Sequence, residues 1–352
     1  MTQLLDPVLA DSDDVRALDG AGRHEEAVAL LEQRARGGSS CAARALGLRV
    51  LVGRRAPFDP RRAVALLTAA ADQGDAEALA QMATLKAAGA WMPPNWNEAL
   101  DLVQRAAELG SARARGQLMI LGDQALAARA REDGSWGALR ASVDLKAWLT
   151  VPERRAICEA PRIRAVERFV PTAVCDWLLA RGAGRYQRSM MFDGQKSNFL
   201  ATRTCSDFKF DIVDADLVLQ IVRERVAAIT TLPTAAFEPP QIFHYALGEE
   251  IKAHYDALRL GDQAYGRDGA YKGDRIATFL LYLNDDYDGG ELVFPHVGVR
   301  HRGKTGDGIY FAHIDAAGVP DRLSLHAALP ITRNEKFILS QWIHDRPFTA
   351  AL

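Results

Sequence analysis

The chain of 352 residues sets 43 Lys and Arg against 45 Asp and Glu, a net charge of −2 at pH 7. A balance this close to zero argues against bulk electrostatic capture of nucleic acid or of an anionic membrane, and no apolar run approaches the ~18 residues that a membrane span needs. Hydrophobic residues make up 48%, ordinary for a globular protein, and the length predicts two domains, each with its own core.

Met1 to Asp14 is acidic and lacks a basic stretch followed by an apolar one, which predicts no signal peptide and a cytoplasmic protein. Cys41, Cys158, Cys175 and Cys205 show no CxxC spacing, so idle thiols in a reducing compartment are expected. Residues 1–135 are rich in Ala, Leu and Arg, a helix-favouring composition. Ala69-Ala70-Ala71-Asp72-Gln73-Gly74 is echoed 36 residues later by Arg105-Ala106-Ala107-Glu108-Leu109-Gly110, and a weaker copy ends at Gly38. Small-residue helices follow each glycine, at Ala42/Leu46, Ala78/Met82 and Ala114/Leu118. A period of this size predicts stacked helical hairpins. The glycines end the first helix of each pair, and the alanines let the helices approach closely. The pattern resembles Sel1-like repeats, relatives of the tetratricopeptide family. That resemblance implies an N-terminal α-helical solenoid of about three repeats, the first degenerate.

Residues 136–160 read as a junction, and 161–352 as a second domain of mixed strands and helices. A strand opening at Ile163 leads to Phe169-Val170-Pro171 and a helix from Pro171 to about Ala183, with proline just inside its start. Tyr186 to Phe208 is polar and without clear period, as an ordinary surface loop is. Leu217, Ile221 and Val222 give Asp214 to Thr231 an apolar helical stripe. Gln241–Tyr245 and Glu249–Asp256 read as strands, with Gly248 between them as a candidate bulge. The polar loop Leu258–Asp274 carries Tyr265 and Tyr271, candidates for substrate contact or plain surface tyrosines. Gly289-Gly290, after Asp285–Asp288, makes a hairpin turn.

On a strand, residues i and i+2 share a face, so His254 and Asp256 present an imidazole and a carboxylate side by side. With a second histidine, His326, they compose the two-His, one-carboxylate set of non-haem Fe(II) oxygenases. The surrounding segments run in a fixed order: Arg275 to Asp285, Gly289-Gly290-Glu291-Leu292-Val293-Phe294-Pro295, Gly306-Asp307-Gly308, Ser324-Leu325-His326-Ala327-Ala328-Leu329-Pro330, Lys336 and Trp342-Ile343. In that order they resemble the prolyl 4-hydroxylase branch of the 2-oxoglutarate/Fe(II) dioxygenases, over about the last 200 residues.

The resemblance implies a double-stranded β-helix (jelly-roll) oxygenase domain after the helical repeats. It implies His254, Asp256 and His326 as iron ligands. 2-Oxoglutarate would take two of the remaining positions and O2 the third, and ascorbate is a further candidate cofactor. Lys336 is implied as partner of the cosubstrate's C5 carboxylate, with Tyr245 and Thr278 as second donors. Trp342 shares strand parity with Lys336 and is either a pocket wall or plain core. Arg275 and Arg322 meet substrate or a carboxylate; the residues do not choose. A second His-x-Asp, His313-Ile314-Asp315, has the right spacing. No suitable later histidine completes it, since His326 lies too close and no lysine follows His344.

Three functions remain open. The first is a prolyl hydroxylase of a protein or peptide, releasing succinate and CO2, with the repeats recruiting the substrate. The second is a hydroxylase of a free amino acid or other small molecule, with the repeats serving assembly. The third, a non-catalytic adaptor, sits poorly with the intact triad and Lys336. The retained Asp256 argues against halogenation, which needs that position free.

Overall fold

A computed structural model describes residues 9–189, 191–192, 197–198, 203–258, 260 and 273–348. The chain divides into two compact units. One includes Met1–Trp148 and Asp211–Ile221; the other comprises Leu149–Phe210 and Val222–Ala350.

The first unit consists of α1 (Asp13–Gly20), α2 (His24–Arg36), α3 (Ser40–Val52), α4 (Pro60–Asp72), α5 (Ala76–Ala88), α6 (Trp96–Glu108), α7 (Ala112–Leu121), α8 (Gln124–Asp133), α9 (Trp136–Ala141) and α10 (Leu145–Leu149). The repeat seen in sequence has a local cause. Gly38, Gly74 and Gly110 have φ of 91°, 83° and 98°, the left-handed region that a side chain disfavours. Gly74 N–H donates to Ala71 O, and Asp75 N–H to Ala70 O, both at 3.0 Å. This six-to-one and five-to-two pairing satisfies carbonyls left open at the end of α4, and α2 and α6 end the same way. The next residue then caps the partner helix: Ser39, Asp75 and Ser111 accept from the N–H groups of Ala42, Ala78 and Ala114. Each cap is worth about 1 kcal/mol. A glycine followed by Ser or Asp therefore reverses the chain once per repeat. Ala42, Ala78 and Ala114 are fully buried where the helices meet.

Asp211–Ile221 is held in this unit through its backbone. Gln81 Nε2 donates to Ile212 O at 3.0 Å, Thr84 Oγ1 to Ala215 O at 3.2 Å, and Leu217 N–H donates to Gln117 Oε1 at 2.8 Å. Gln81 and Gln117 occupy equivalent places one repeat apart, and both are buried, where an amide needs such partners. The predicted Asp214–Thr231 helix starts later, as α12 (Leu217–Thr230), because Asp216 Oδ1 accepts from Leu219 N–H and ends the irregular segment.

The second unit is built from β1 (Arg155–Cys158), β2 (Ile163–Val166), α11 (Thr172–Gly182), β3 (Gln187–Arg188), β4 (Met191–Phe192), β5 (Ser197–Asn198), β6 (Ser206–Lys209), β7 (Gln241–Tyr245), β8 (Ile251–His254), β9 (Arg275–Tyr282), β10 (Asp288–Gly289), β11 (Leu292–Phe294), β12 (Val299–His301), β13 (Gly308–Ala312), β14 (His326–Ala328), β15 (Ile331–Arg333) and β16 (Lys336–His344), with most of α12. The main sheet has eight strands in the order β1-β2-β13-β9-β16-β7-β6-β3, and a second has four in the order β12-β11-β14-β8. Their pairings are antiparallel. Phe243, Tyr282, Phe311, Ile338 and Trp342 from the main sheet pack in one core with Leu292, Phe294 and Ala328 from the smaller one. Two antiparallel sheets sharing one core form the expected double-stranded β-helix. Its stability rests on buried aromatic and aliphatic area.

Local details depart from the sequence reading. Pro171 is the N-cap of α11, with φ of −64° and ψ of 153°, so the helix starts at Thr172, one residue later than predicted. Strands β7 and β8 belong to different sheets, so Gly248 (φ 79°) marks a crossing between sheets, and strand parity does not relate Tyr245 to His254. Much of Tyr186–Phe208 and of Leu258–Asp274 lies outside the described residues, including Tyr265 and Tyr271. Among the described residues no helix is long and apolar enough to cross a membrane.

Candidate active site

The register of β8 against β14 places His254 directly opposite His326, and their ring centroids lie 4.3 Å apart. Strand β8 ends at His254, so alternation of faces does not place Asp256; the chain leaves the sheet first. Asp256 still turns back, buried, with Oδ1 3.5 Å from His254 Nε2 and Oδ2 3.7 Å from His326 Nε2. One ligand atom from each of the three residues lies within 4.8 Å of the others. That is the only such group of His, Cys, Asp and Glu among the described residues.

Both imidazoles are held by the same device. His254 Nδ1 lies 2.9 Å from Lys252 O, and His326 Nδ1 lies 3.0 Å from Ser324 O. A carbonyl only accepts, so each Nδ1 carries a proton, and each Nε2 is the ring atom that faces Asp256. Burial pushes His326 down to about 3, with the neighbouring His254 adding to the effect, so its ring is neutral and able to ligate. Burial alone would raise Asp256, but the His254 hydrogen bond and the surrounding imidazoles hold it well below the usual carboxylate range. Two imidazole nitrogens and one carboxylate suit Fe(II), with positions left for other ligands.

Thr278 lines the same cavity as Lys336, with its hydroxyl turned to the triad. Its Oγ1 lies 2.6 Å from Asp256 Oδ2 and 2.7 Å from His313 Nε2, so the hydroxyl serves the triad. The β9 strand carries Thr278 inward toward Asp256, and its cross-strand neighbour is Trp342, whereas Lys336 enters six residues before Trp342 on β16.

Lys336 and Tyr245 are direct cross-strand partners on β16 and β7. Lys336 is 2% exposed, and its ammonium donates to Gly290 O at 2.7 Å. It lies 5.2, 5.7 and 6.0 Å from the ring centres of Tyr245, Tyr282 and Tyr287. Among the described residues no carboxylate lies within ion-pairing distance of it. Burial lowers it to about 8. A buried cation held only by a carbonyl and ring faces fits an anionic ligand that arrives from solution. The turn glycine has a further part: at Gly290 a Cβ would stand 2.4 Å from Ile331 Cδ1 and 3.2 Å from Lys336 Cδ.

Lys336, Ile338, Ser340 and Trp342, alternate residues of β16, line the same cavity as His254, Asp256 and His326. Trp342 is thus a wall of that cavity, and its buried Nε1 has no hydrogen-bond acceptor. Arg275 meets a carboxylate within the protein: its Nε donates to Glu238 Oε1 at 2.5 Å, and its guanidinium lies 3.9 Å from the Trp342 ring centre. His344 Nε2 holds the same Glu238 oxygen at 2.7 Å. Burial would raise Glu238, but Arg275 and His344 bring it to about 2. Arg322 is exposed, and its carbonyl accepts from Tyr255 Oη at 3.2 Å. Sequence reasoning had no access to the Lys252 and Ser324 carbonyls, which leave no side-chain signature. It also passed over Glu238 and His313; a His-x-Asp spacing was the one available sign of the latter.

Residues 240–344 match the 2OG-Fe(II) oxygenase superfamily. Probable prolyl 4-hydroxylase 9 of Arabidopsis thaliana is 32% identical over 36% of this chain and 48% of its own length. Probable prolyl 4-hydroxylase 6 of Arabidopsis thaliana is 30% identical over 53% of this chain and 70% of its own length. The chain spans about half to two thirds of the length of the first curated relatives it matches. Among solved structures it is similar to a viral collagen prolyl hydroxylase from Paramecium Bursaria Chlorella virus-1 (23% identity, TM-score 0.41, 53% of this chain and 98% of that one). It is also similar to a Sel1 repeat protein from Oxalobacter formigenes (24% identity, TM-score 0.27, 36% and 53%). The match to a relative across most of that relative's length establishes kinship: the chain belongs to the 2OG-Fe(II) oxygenase superfamily, as a homologue of the prolyl 4-hydroxylases.

Proposed function

We propose that the protein hydroxylates a prolyl residue of a protein or peptide, consuming 2-oxoglutarate and O2 and releasing succinate and CO2. The observation that carries the reading is the pairing, in one cavity, of the His254–Asp256–His326 set with the unpaired buried ammonium of Lys336. The three ligands would hold Fe(II), which when bound supplies the oxidising chemistry that couples decarboxylation of the cosubstrate to hydroxylation. The chain's own residues bind, orient and exclude water. Lys336 receives the C5 carboxylate beside Tyr245. Neutral His326 and ionised Asp256 stay available as ligands without a proton having to leave. Phe311, Leu280 and Leu292, with Trp342, line the cavity and give it apolar walls.

The prolyl substrate is supported by the kinship with prolyl 4-hydroxylases. For the repeats, a recruiting role needs surface beyond the part taken by Asp211–Ile221; the exposed ring pair Phe58 and Trp91, with centroids 6.3 Å apart, is the place to look. The test is product mapping. Proline-containing peptides and free amino acids are each incubated with enzyme, Fe(II) and 2-oxoglutarate, and oxygen-bearing products are located by mass. Hydroxyproline in a peptide is expected. Hydroxylation confined to a free amino acid, with peptides inert, would favour the small-molecule reading.

A further inference from the structure

We propose that His313 is a positioning residue of the metal site: through the Thr278 hydroxyl it fixes the Asp256 carboxylate, tying up one oxygen and leaving the other for the metal. This rests on the reading of His254, Asp256 and His326 as a metal site. Thr278 Oγ1 sits between His313 Nε2 at 2.7 Å and Asp256 Oδ2 at 2.6 Å, and a hydroxyl has a single proton to give. A carboxylate that serves as a metal ligand only accepts, so the threonine must donate to Oδ2. It then must accept from His313, which fixes His313 as the Nε2–H tautomer. The reverse pattern would leave two bare oxygens facing each other at 2.6 Å.

The surroundings agree. His313 Nδ1 is buried with no hydrogen-bond partner, tolerable for a bare ring nitrogen and costly for an N–H. The ring is fully buried; it lies at 5.2 Å from Phe311 and is nearly parallel to His326 at 6.4 Å. Its backbone is pinned on both sides, His313 N–H to Ile276 O at 2.8 Å and Asp321 N–H to His313 O at 2.7 Å. His313 is therefore no fourth ligand, since its Nε2 is spent on Thr278. It supplies a rigid donor behind Asp256, the role such groups play around metal-bound carboxylates.

The test is Mn(II) binding to the full-length protein, read from the electron paramagnetic resonance of free Mn(II), with melting temperature as a fold check. His313→Leu removes the donor, His313→Gln returns an amide N–H near the Nε2 position, Thr278→Val breaks the relay, and Thr278→Ser keeps its hydroxyl. His313→Leu and Thr278→Val should each weaken Mn(II) binding about 10- to 100-fold. The double variant should be no worse than the weaker single one, since both break the same chain, and His313→Gln and Thr278→Ser should recover most of the affinity. Additive losses, an unaffected His313→Leu, or no recovery with His313→Gln would overturn the proposal. If His313→Leu does not fold, the histidine 15N spectrum of the metal-free wild type decides: Nε2–H at His313 is expected, and Nδ1–H refutes it. Failure of the wild type to bind Mn(II) would instead count against the metal-site reading itself.

Discussion

Lys336→Met should separate the ammonium's effect on stability from its effect on cosubstrate binding, and move them in opposite directions. Burial lowers the lysine from 10.5 to about 8 in the folded chain, a shift worth about 3 kcal/mol against the charged form. The folded pKa lies below the unfolded one, so the unfolded chain holds the proton more tightly. The penalty is fully present below about pH 8 and disappears as pH rises from about 8 to 10.5. Methionine fills similar space without charge and gives up the bond to Gly290 O, worth about 1–2 kcal/mol. The metal-free variant should therefore be more stable than wild type at pH 7, by about 1–2 kcal/mol, and lose that advantage by pH 10.5. Affinity for 2-oxoglutarate should fall about 10- to 100-fold, since a charged hydrogen bond contributes about 1.5–3 kcal/mol. Wild-type affinity should likewise weaken above about pH 8, as the ammonium is lost. Urea unfolding at pH 7 and pH 10.5, with 2-oxoglutarate titrations in the presence of Mn(II), reads all three. A variant destabilised by more than about 2 kcal/mol at pH 7 with unchanged cosubstrate affinity would refute the reasoning and make Lys336 structural.

Three further outcomes are expected. His254→Ala and His326→Ala should abolish metal binding and turnover while circular dichroism shows the fold retained; the metal-free melting temperature should change little for His254→Ala and fall for His326→Ala, whose buried ring packs on Phe311 and Phe294. Gly290→Ala should destabilise by about 1–3 kcal/mol, as its Cβ meets Ile331 and its φ of 65° suits glycine; it should also weaken 2-oxoglutarate binding through Lys336, checked by the same titrations. A chain beginning at Val151 should aggregate or melt well below the full chain, because Val213, Leu217 and Val218 belong with the helical unit it lacks; light scattering and a melting curve decide.

What could be read from the residues follows from how local each cause is. The repeat was legible because chain reversal lies in adjacent residues, a left-handed glycine and the Ser or Asp cap beside it, at Gly38, Gly74 and Gly110. His254, Asp256, His326 and Lys336 were legible through the order of motifs that resembles a known family; the register that sets His254 opposite His326 was not. Thr278 was placed with Lys336 by the family resemblance alone, which says nothing of the Asp256 and His313 side chains that its hydroxyl meets. His313 was set aside by order along the chain, which says nothing of burial. That Asp211–Ile221 joins the helical unit depends on Gln81 and Gln117, more than 90 residues away in sequence, and such distant pairing leaves no pattern in a single chain.

The central claim is that one cavity holds Fe(II) and 2-oxoglutarate together, and an anaerobic titration tests it most directly. Fe(II) is added to the protein with 2-oxoglutarate present, and the visible charge-transfer band of the iron–2-oxoacid chelate is followed. The band should saturate at about one Fe(II) per chain, vanish in His326→Ala, and require about 10- to 100-fold more 2-oxoglutarate in Lys336→Met. Absence of the band from folded wild-type protein, or its persistence in His326→Ala, would contradict the account.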